Sequence, residues 1–207
     1  MTLQVTQGNF NSVRDTWKEL LPTCTANTIF LTPLWQQTWW ETLGSADGAS
    51  AGRELLLLVV QRAGQPIGLA PLQRMGSTIA FLGDTDVFDY HDFVFKHGEE
   101  KDFFATLFSH LNTLAWDHLY FPSVPQESPT LQFLPEEAKR LGWQCTIEQE
   151  DVAPGLSLPK TWDNYLANNL NKKDRHELRR KMRRLFSADE PKFQTVSDPQ
   201  PRDDHGR

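Results

Sequence analysis

Cysteine is nearly missing from this chain: Cys24 and Cys145 are the only two in 207 residues, far apart and outside any CxxC. That excludes a disulfide framework and a zinc site built on paired or fourfold cysteines, and it fits two free thiols in a reducing compartment. The twelve glycines include no GxG pair, which removes the Rossmann and P-loop fingerprints. The six histidines form no HExxH. The longest aliphatic run, Leu55 to Val60, falls far short of the roughly 20 residues that cross a bilayer. The opening MTLQVTQGNF has no apolar stretch behind a basic start, so no signal peptide is expected. These absences predict a soluble, cytoplasmic protein without a transmembrane segment or a metal site. An overall excess of positive charge is lacking too, with 21 Lys and Arg against 27 Asp and Glu.

The charge that is present is unevenly placed. Lys172 to Arg184 holds eight cations and two acids, a local +6, whereas residues 1–171 carry −10. Such asymmetry marks a boundary, a partner surface or a tail. Seven Trp and thirteen Phe supply enough bulk for one real core. Three regions are therefore expected: a domain over 1–159, a helical connector over 160–186 and a disordered tail over 187–207.

Periodicity sets the elements. Leu3 to Thr6 reads as a strand, and Phe10, Val13, Trp17, Leu20 and Leu21 recur at helical spacing. A second helix has Thr32 as N-cap, Pro33 at its first position and Gly44 past its end, followed by a small-residue loop over 45–52. Glu54 to Arg62 and Ile67 to Met75 form a hairpin whose near-continuous apolar character predicts burial on both faces. Strands are expected over 78–82, 91–95, 117–121 and 143–148, with helices over 98–114 and 129–141. After Pro159 the pattern is all helix: Thr161 caps WDNYLANNL, and Asn171 with Asp174 opens the basic segment, where Leu178, Met182, Leu185 and Phe186 make a narrow apolar stripe.

The stretches FLTPLWQQTWWETLG, LLLLVVQRAGQPIGLAPL, FLGDTDVFDYHDFVF and LPKTWDNYLANNLNKKDRHELRRKMRRL, in that order, resemble the CelD/BcsL-type acetyltransferases. These belong to the GNAT superfamily, with two GNAT-like halves in tandem, and are related to the Fem-type transferases. The resemblance covers about residues 30 to 186 and implies an α+β, GNAT-like mixed sheet flanked by helices. This chain would be the amino-terminal half with its basic connector helix. The implied reaction is acyl transfer from acetyl-CoA or another acyl-CoA to a sugar or cell-envelope precursor. The implied partner is a second GNAT-like half. One departure stands out. The family's glycine turn for the acyl-CoA pyrophosphate sits at a helix N-terminus, where this chain reads FVFKHGEEKDFF, with a lone Gly98 and the acids Glu99, Glu100 and Asp102. The cofactor is therefore expected on the other half, with substrate binding or support left to this one.

Among single residues, Asp89, His91 and Asp92 are the densest group of candidate bases. Asp89 and His91 would share one strand face and Asp92 the other. A carboxylate beside an imidazole can move a proton or bind a metal, but the same residues also suit a polar turn. Trp35, Trp39 and Trp40 form either an aromatic platform for a sugar or acyl chain, or a core stripe. The connector offers Arg179, Arg180, Arg183 and Arg184 around Leu178 and Met182 as a contact surface for the second half, for another copy, or for an anionic or protein partner of a non-catalytic interaction module. Nucleic acid is not expected, since the rest of the chain is acidic.

Overall fold

The computed structural model describes residues 2–24, 26–44 and 52–188; the loop read at 45–52, apart from Gly52, and the tail beyond 188 lie outside the described residues. The chain divides into two compact units, Met1–Asp151 and Val152–Arg207.

The first unit is built on the hairpin. Strand β2 (Arg53–Arg62) turns through Ala63 and Gly64 into β3 (Gln65–Met75), with Arg62 opposite Gln65. Both turn residues have positive φ, 49° and 81°, the geometry a two-residue hairpin loop requires. Strand β1 (Leu3–Gly8) pairs antiparallel with β2, β4 (Thr78–Phe81) antiparallel with β3, and β6 (His118–Tyr120) parallel with β4. The two-residue β5 (Val94–Phe95) also lies on β3, giving a mixed six-stranded sheet.

Both faces of the hairpin are covered, as its apolar run predicts. Leu57, Val59 and Leu69 pack on helix α1 (Phe10–Leu20) and on Trp39 of helix α2 (Pro33–Trp39). Leu56, Leu58, Val60 and Leu72 pack on helix α3 (Glu100–Leu111), with Phe133 of helix α4 (Thr130–Leu141) alongside. The result is an α+β unit in three layers. The expected Thr32 cap is in place, its Oγ1 accepting from Trp35 N–H at 3.2 Å, and α4 ends at Gly142 in the left-handed region, φ 75°. After α2 the chain continues as a π-turn from Trp40 to Gly44.

One expected strand is cut to two residues and another is absent. Of 91–95 only Val94 and Phe95 join the sheet, because His91 and Asp92 are held by contacts described below. Residues 143–148 make no ladder. Trp143 Nε1 instead donates to Asn112 Oδ1 at 3.1 Å, its ring meets Trp116 edge-on at 4.8 Å, and Glu150 accepts from Ser123 N–H at 2.9 Å. The intervening Ile147 stays exposed, so the alternation there has no layer to bury it.

The second unit contains helix α5 (Trp162–Asn169), capped by Thr161, and helix α6 (Lys172–Ala188). Asn171 Oδ1 accepts from Asp174 N–H at 3.0 Å and its Nδ2 donates to Asp174 Oδ2 at 2.6 Å, closing the start of α6. No helix among the described residues is long and apolar enough to cross a membrane.

Close approach across the sheet depends on Gly68 in β3, where a Cβ would overlap the Phe103 ring of α3. Gly68→Ala is expected to displace that ring and cost about 1–3 kcal/mol of stability, read from the urea midpoint of the variant.

Candidate functional site

The fourth strand of the sheet is broken, and the break carries the polar cluster. Leu82 N–H still donates to Pro71 O at 2.9 Å; the chain then leaves the sheet and returns at Val94 opposite Leu69. Residues 83–93 form the excursion. Asp84 organises its first turn: Oδ1 accepts from the N–H groups of Asp86 and Val87 at 3.1 Å, and Oδ2 from Trp39 Nε1 at 2.9 Å. Such an Asx turn is the bland alternative the sequence allowed.

His91 and Asp92 are both 1% exposed, whereas Asp89 is exposed. The imidazole lies nearly parallel to Phe81 and Phe88, with ring centroids 5.7 and 4.8 Å away. Neither ring nitrogen has a hydrogen-bond partner, and neither does Gln73 Oε1. Gly83, at φ 128°, makes room for the ring; a Cβ there would stand 2.7 Å from His91 Nε2. Burial pushes the His91 pKa down to about 4, against a smaller upward pull from Asp84, so the ring is neutral at pH 7. Its backbone N–H donates to Ser123 O at 3.0 Å, tying the excursion to the chain just past β6.

Asp92 does a different job. Ser128 Oγ donates to Oδ2 and Thr130 Oγ1 to Oδ1, both at 2.5 Å, and Phe93 N–H donates at 2.8 Å. Ser128 Oγ in turn accepts from Thr130 N–H at 3.0 Å. Pro129, at the N-cap of α4, offers no side-chain cap, so Asp92 and Ser128 together close that helix end, with the carboxylate on the favourable side of the helix dipole. Burial raises the Asp92 pKa to about 6; the Ser128, Thr130 and Phe93 donors pull it down.

The imidazole and carboxylate that adjoin in sequence are therefore not a proton-transfer pair. Asp92 spends its oxygens on hydroxyls, the charge felt by His91 comes from Asp84, and Asp89 stands apart at the surface. Sequence reading missed Ser128 and Thr130; the only trace is Ser-Pro-Thr at a helix start. Among the described residues no group of three or more His, Cys, Asp or Glu side chains is arranged to hold a metal ion. The Trp trio also separates. Trp39 is core, its indole on Phe88 at 5.8 Å and its face under Arg53 at 5.5 Å, while Trp35 and Trp40 are half-buried at its sides. Cys24 is structural: its Sγ bonds Phe95 N–H and O at 3.2 Å, and burial lifts its pKa to about 11.

The resemblance would put an acyl-CoA pyrophosphate at the start of α3, on free N–H groups. Gly98 has positive φ, 86°, but its N–H donates to Glu100 Oε1 at 2.9 Å. Arg62, the nearby guanidinium, is engaged by Glu99 at 2.6 Å and by Asp102. The residues present do not fit an anion here.

On α6, Arg179, Arg180, Arg183 and Arg184 are exposed, Leu178 is half-buried, and Met182, Leu185 and Phe186 are 36%, 56% and 55% exposed. His176, Arg179, Met182, Arg183 and Phe186 line one open groove along the helix. Arg175 is spent internally, donating to Ala167 O at 2.9 Å and so capping α5.

The paired burial of His91 and Asp92 has a pH signature. Asp92, raised from 3.8 to about 6, contributes stability at low pH that is lost as pH rises through that window. His91, lowered from 6.5 to about 4, contributes stability at high pH that is lost as pH falls through its own. The two nearly cancel in the parent, each being about 3 kcal/mol at 1.4 kcal/mol per pKa unit. His91→Phe should therefore gain on the parent as pH falls from 7 to 4, and Asp92→Asn should gain on it as pH rises, measured by denaturant titration at each pH.

No family model matches the chain, and neither a curated protein nor a solved structure does.

Proposed function

We propose that this chain is the amino-terminal, substrate-binding or supporting half of a GNAT-type acyltransferase whose acyl-CoA is held elsewhere. The observation that carries the reading is the sheet itself. An antiparallel run β1-β2-β3-β4 ends in one parallel pair, β4 with β6, across the helix α3. That agrees with the coarse architecture the resemblance of residues 30 to 186 implies, a mixed sheet flanked by helices, without the strand expected over 143–148. The start of α3, closed by Glu100 and by the Arg62 pairs with Glu99 and Asp102, supports assigning the cofactor to a second half. The acceptor class remains the one the resemblance implies, a sugar or cell-envelope precursor. Backbone polarisation of a thioester and removal of the acceptor's proton belong to groups outside His91 and Asp92, both of which are sealed from solvent.

A second reading, a non-catalytic interaction module, is favoured by α6, which leaves Met182, Leu185 and Phe186 uncovered among cations.

The test is calorimetric titration of acetyl-CoA into the 207-residue chain and into a product in which a carboxy-terminal acyltransferase half is joined to it. Binding to the longer product alone supports the proposal. Saturable binding to the 207-residue chain overturns the support role, and no binding to either overturns the acyltransferase reading in favour of the interaction module.

A further inference from the structure

Helix α6 is cationic around most of its circumference. Lys172, Lys173, Arg179, Arg180, Lys181, Arg183 and Arg184 are all exposed, and Glu177 is the one acid along its middle, within 3.2 Å of Lys181 and 4.0 Å of Arg180. Its uncovered apolar residues, Met182, Leu185 and Phe186, fall on one side of its last two turns. Two copies of α6 suit each other poorly, because packing stripe on stripe would bring the arginines around Met182 and Phe186, Arg179, Arg183 and Arg184, against those of the other copy. The occupant of this face has to be anionic around an apolar centre.

The same chain presents such a surface on its first unit. Ile29 and Leu34 are 60% and 77% exposed, among the most exposed large apolar side chains described. Between them in sequence lies Phe30, whose ring lies 5.4 Å from Trp35 and 6.3 Å from Tyr90, so the excursion and the start of α2 meet in aromatic contacts. The excursion carries the exposed carboxylates Asp86 and Asp89, the latter next in sequence to Tyr90. Residues 1–151 carry nineteen acids against nine bases. Neither surface uses a residue assigned above to holding the excursion together, since that work is done by Asp84, His91 and Asp92.

We propose that these two surfaces are partners between chains: α6 of one copy seats Met182, Leu185 and Phe186 on the Ile29–Phe30–Leu34 patch of a second copy, with Arg179 and Arg183 facing Asp86 and Asp89. The contact is heterologous, so it closes into a pair only by reciprocal exchange and otherwise runs on as a chain of copies. Apolar burial supplies the attraction, and the charges set orientation and encounter rate. Salt weakens the contact, because the screening length falls from about 10 Å at 0.1 M to about 3 Å at 1 M. The inference does not depend on the acyltransferase reading.

The experiment is light scattering on size-exclusion fractions of the full chain over a hundredfold concentration range. The mass is expected to rise above 23.8 kDa with concentration and to fall back in high salt. Arg179→Glu with Arg183→Glu should weaken association by about tenfold or more, and Asp86→Lys with Asp89→Lys should do the same. Circular dichroism of both variants should match the parent, since every altered side chain is exposed. Mixing the two variants must restore association, because each mixed contact again pairs opposite charges. A parent that stays at the monomer mass throughout overturns the proposal, whatever vesicle or nucleic acid α6 then binds. So does a mixture that remains monomeric, or an arginine variant that associates as the parent does.

Discussion

Two-sided burial of the β2–β3 hairpin is the constraint from which the first unit follows. Alternate residues of β2 enter opposite layers, Leu56, Leu58 and Val60 on one side and Leu57 and Val59 on the other. A strand of this kind has no solvated face, so helices must lie on both sides of it. Helices α1 and α2 precede the hairpin and cover one face; α3 and α4 follow it and cover the other. Gly68 allows the closest of these contacts by giving Phe103 the space of a side chain.

The break in the fourth strand is the second organising feature. A strand that leaves the ladder between Leu82 and Val94 exposes backbone polar groups in the middle of a protein, and these need partners. The excursion supplies them locally: Asp84 closes its own turn, His91 N–H reaches Ser123, and Asp92 satisfies Phe93 N–H while capping α4 through two hydroxyls. Phe93 then fills the gap, its ring within 6.1 Å of Phe81, Phe103, Phe104, Phe108 and Phe121. Ionisable side chains buried here act as structural parts. They resemble a catalytic cluster in sequence because carboxylates and imidazoles serve backbone satisfaction and proton transfer equally well.

The second unit has a different physical character. Among residues 152–187 only Leu166 is a buried apolar residue, while Val152, Leu156, Leu158, Trp162, Leu185 and Phe186 are more than half exposed. Helices of this kind draw little stability from packing; their caps, Thr161 and the Asn171–Asp174 exchange, and the Arg175 guanidinium on the α5 carbonyls supply much of the order described. The concentration of cations in α6 thus has several origins: one caps a helix, two pair with Glu177, and the rest remain available to an anionic surface.

The elements themselves were legible because their signals are local. Thr32-Pro33 at a helix start, Ala63-Gly64 between apolar runs, Gly142 at a helix end and the heavy apolar load of β2 and β3 each reflect a backbone or burial rule acting within a few residues. The fate of 91–95 and 143–148 was not legible, since both have strand-like alternation. Whether such a segment pairs depends on what lies beside it, which for His91 and Asp92 is Phe88, Ser128 and Thr130, and for Trp143 is Asn112 and Trp116. The sequence by itself determined that both faces of β2 and β3 must be covered and roughly where the helices lie. Only the tertiary structure decided that Asp92 meets two hydroxyls 36 and 38 residues away and that His91 meets none. The reason is that the chemistry of a buried polar group is set by its neighbours in space, and these are chosen when distant segments pack.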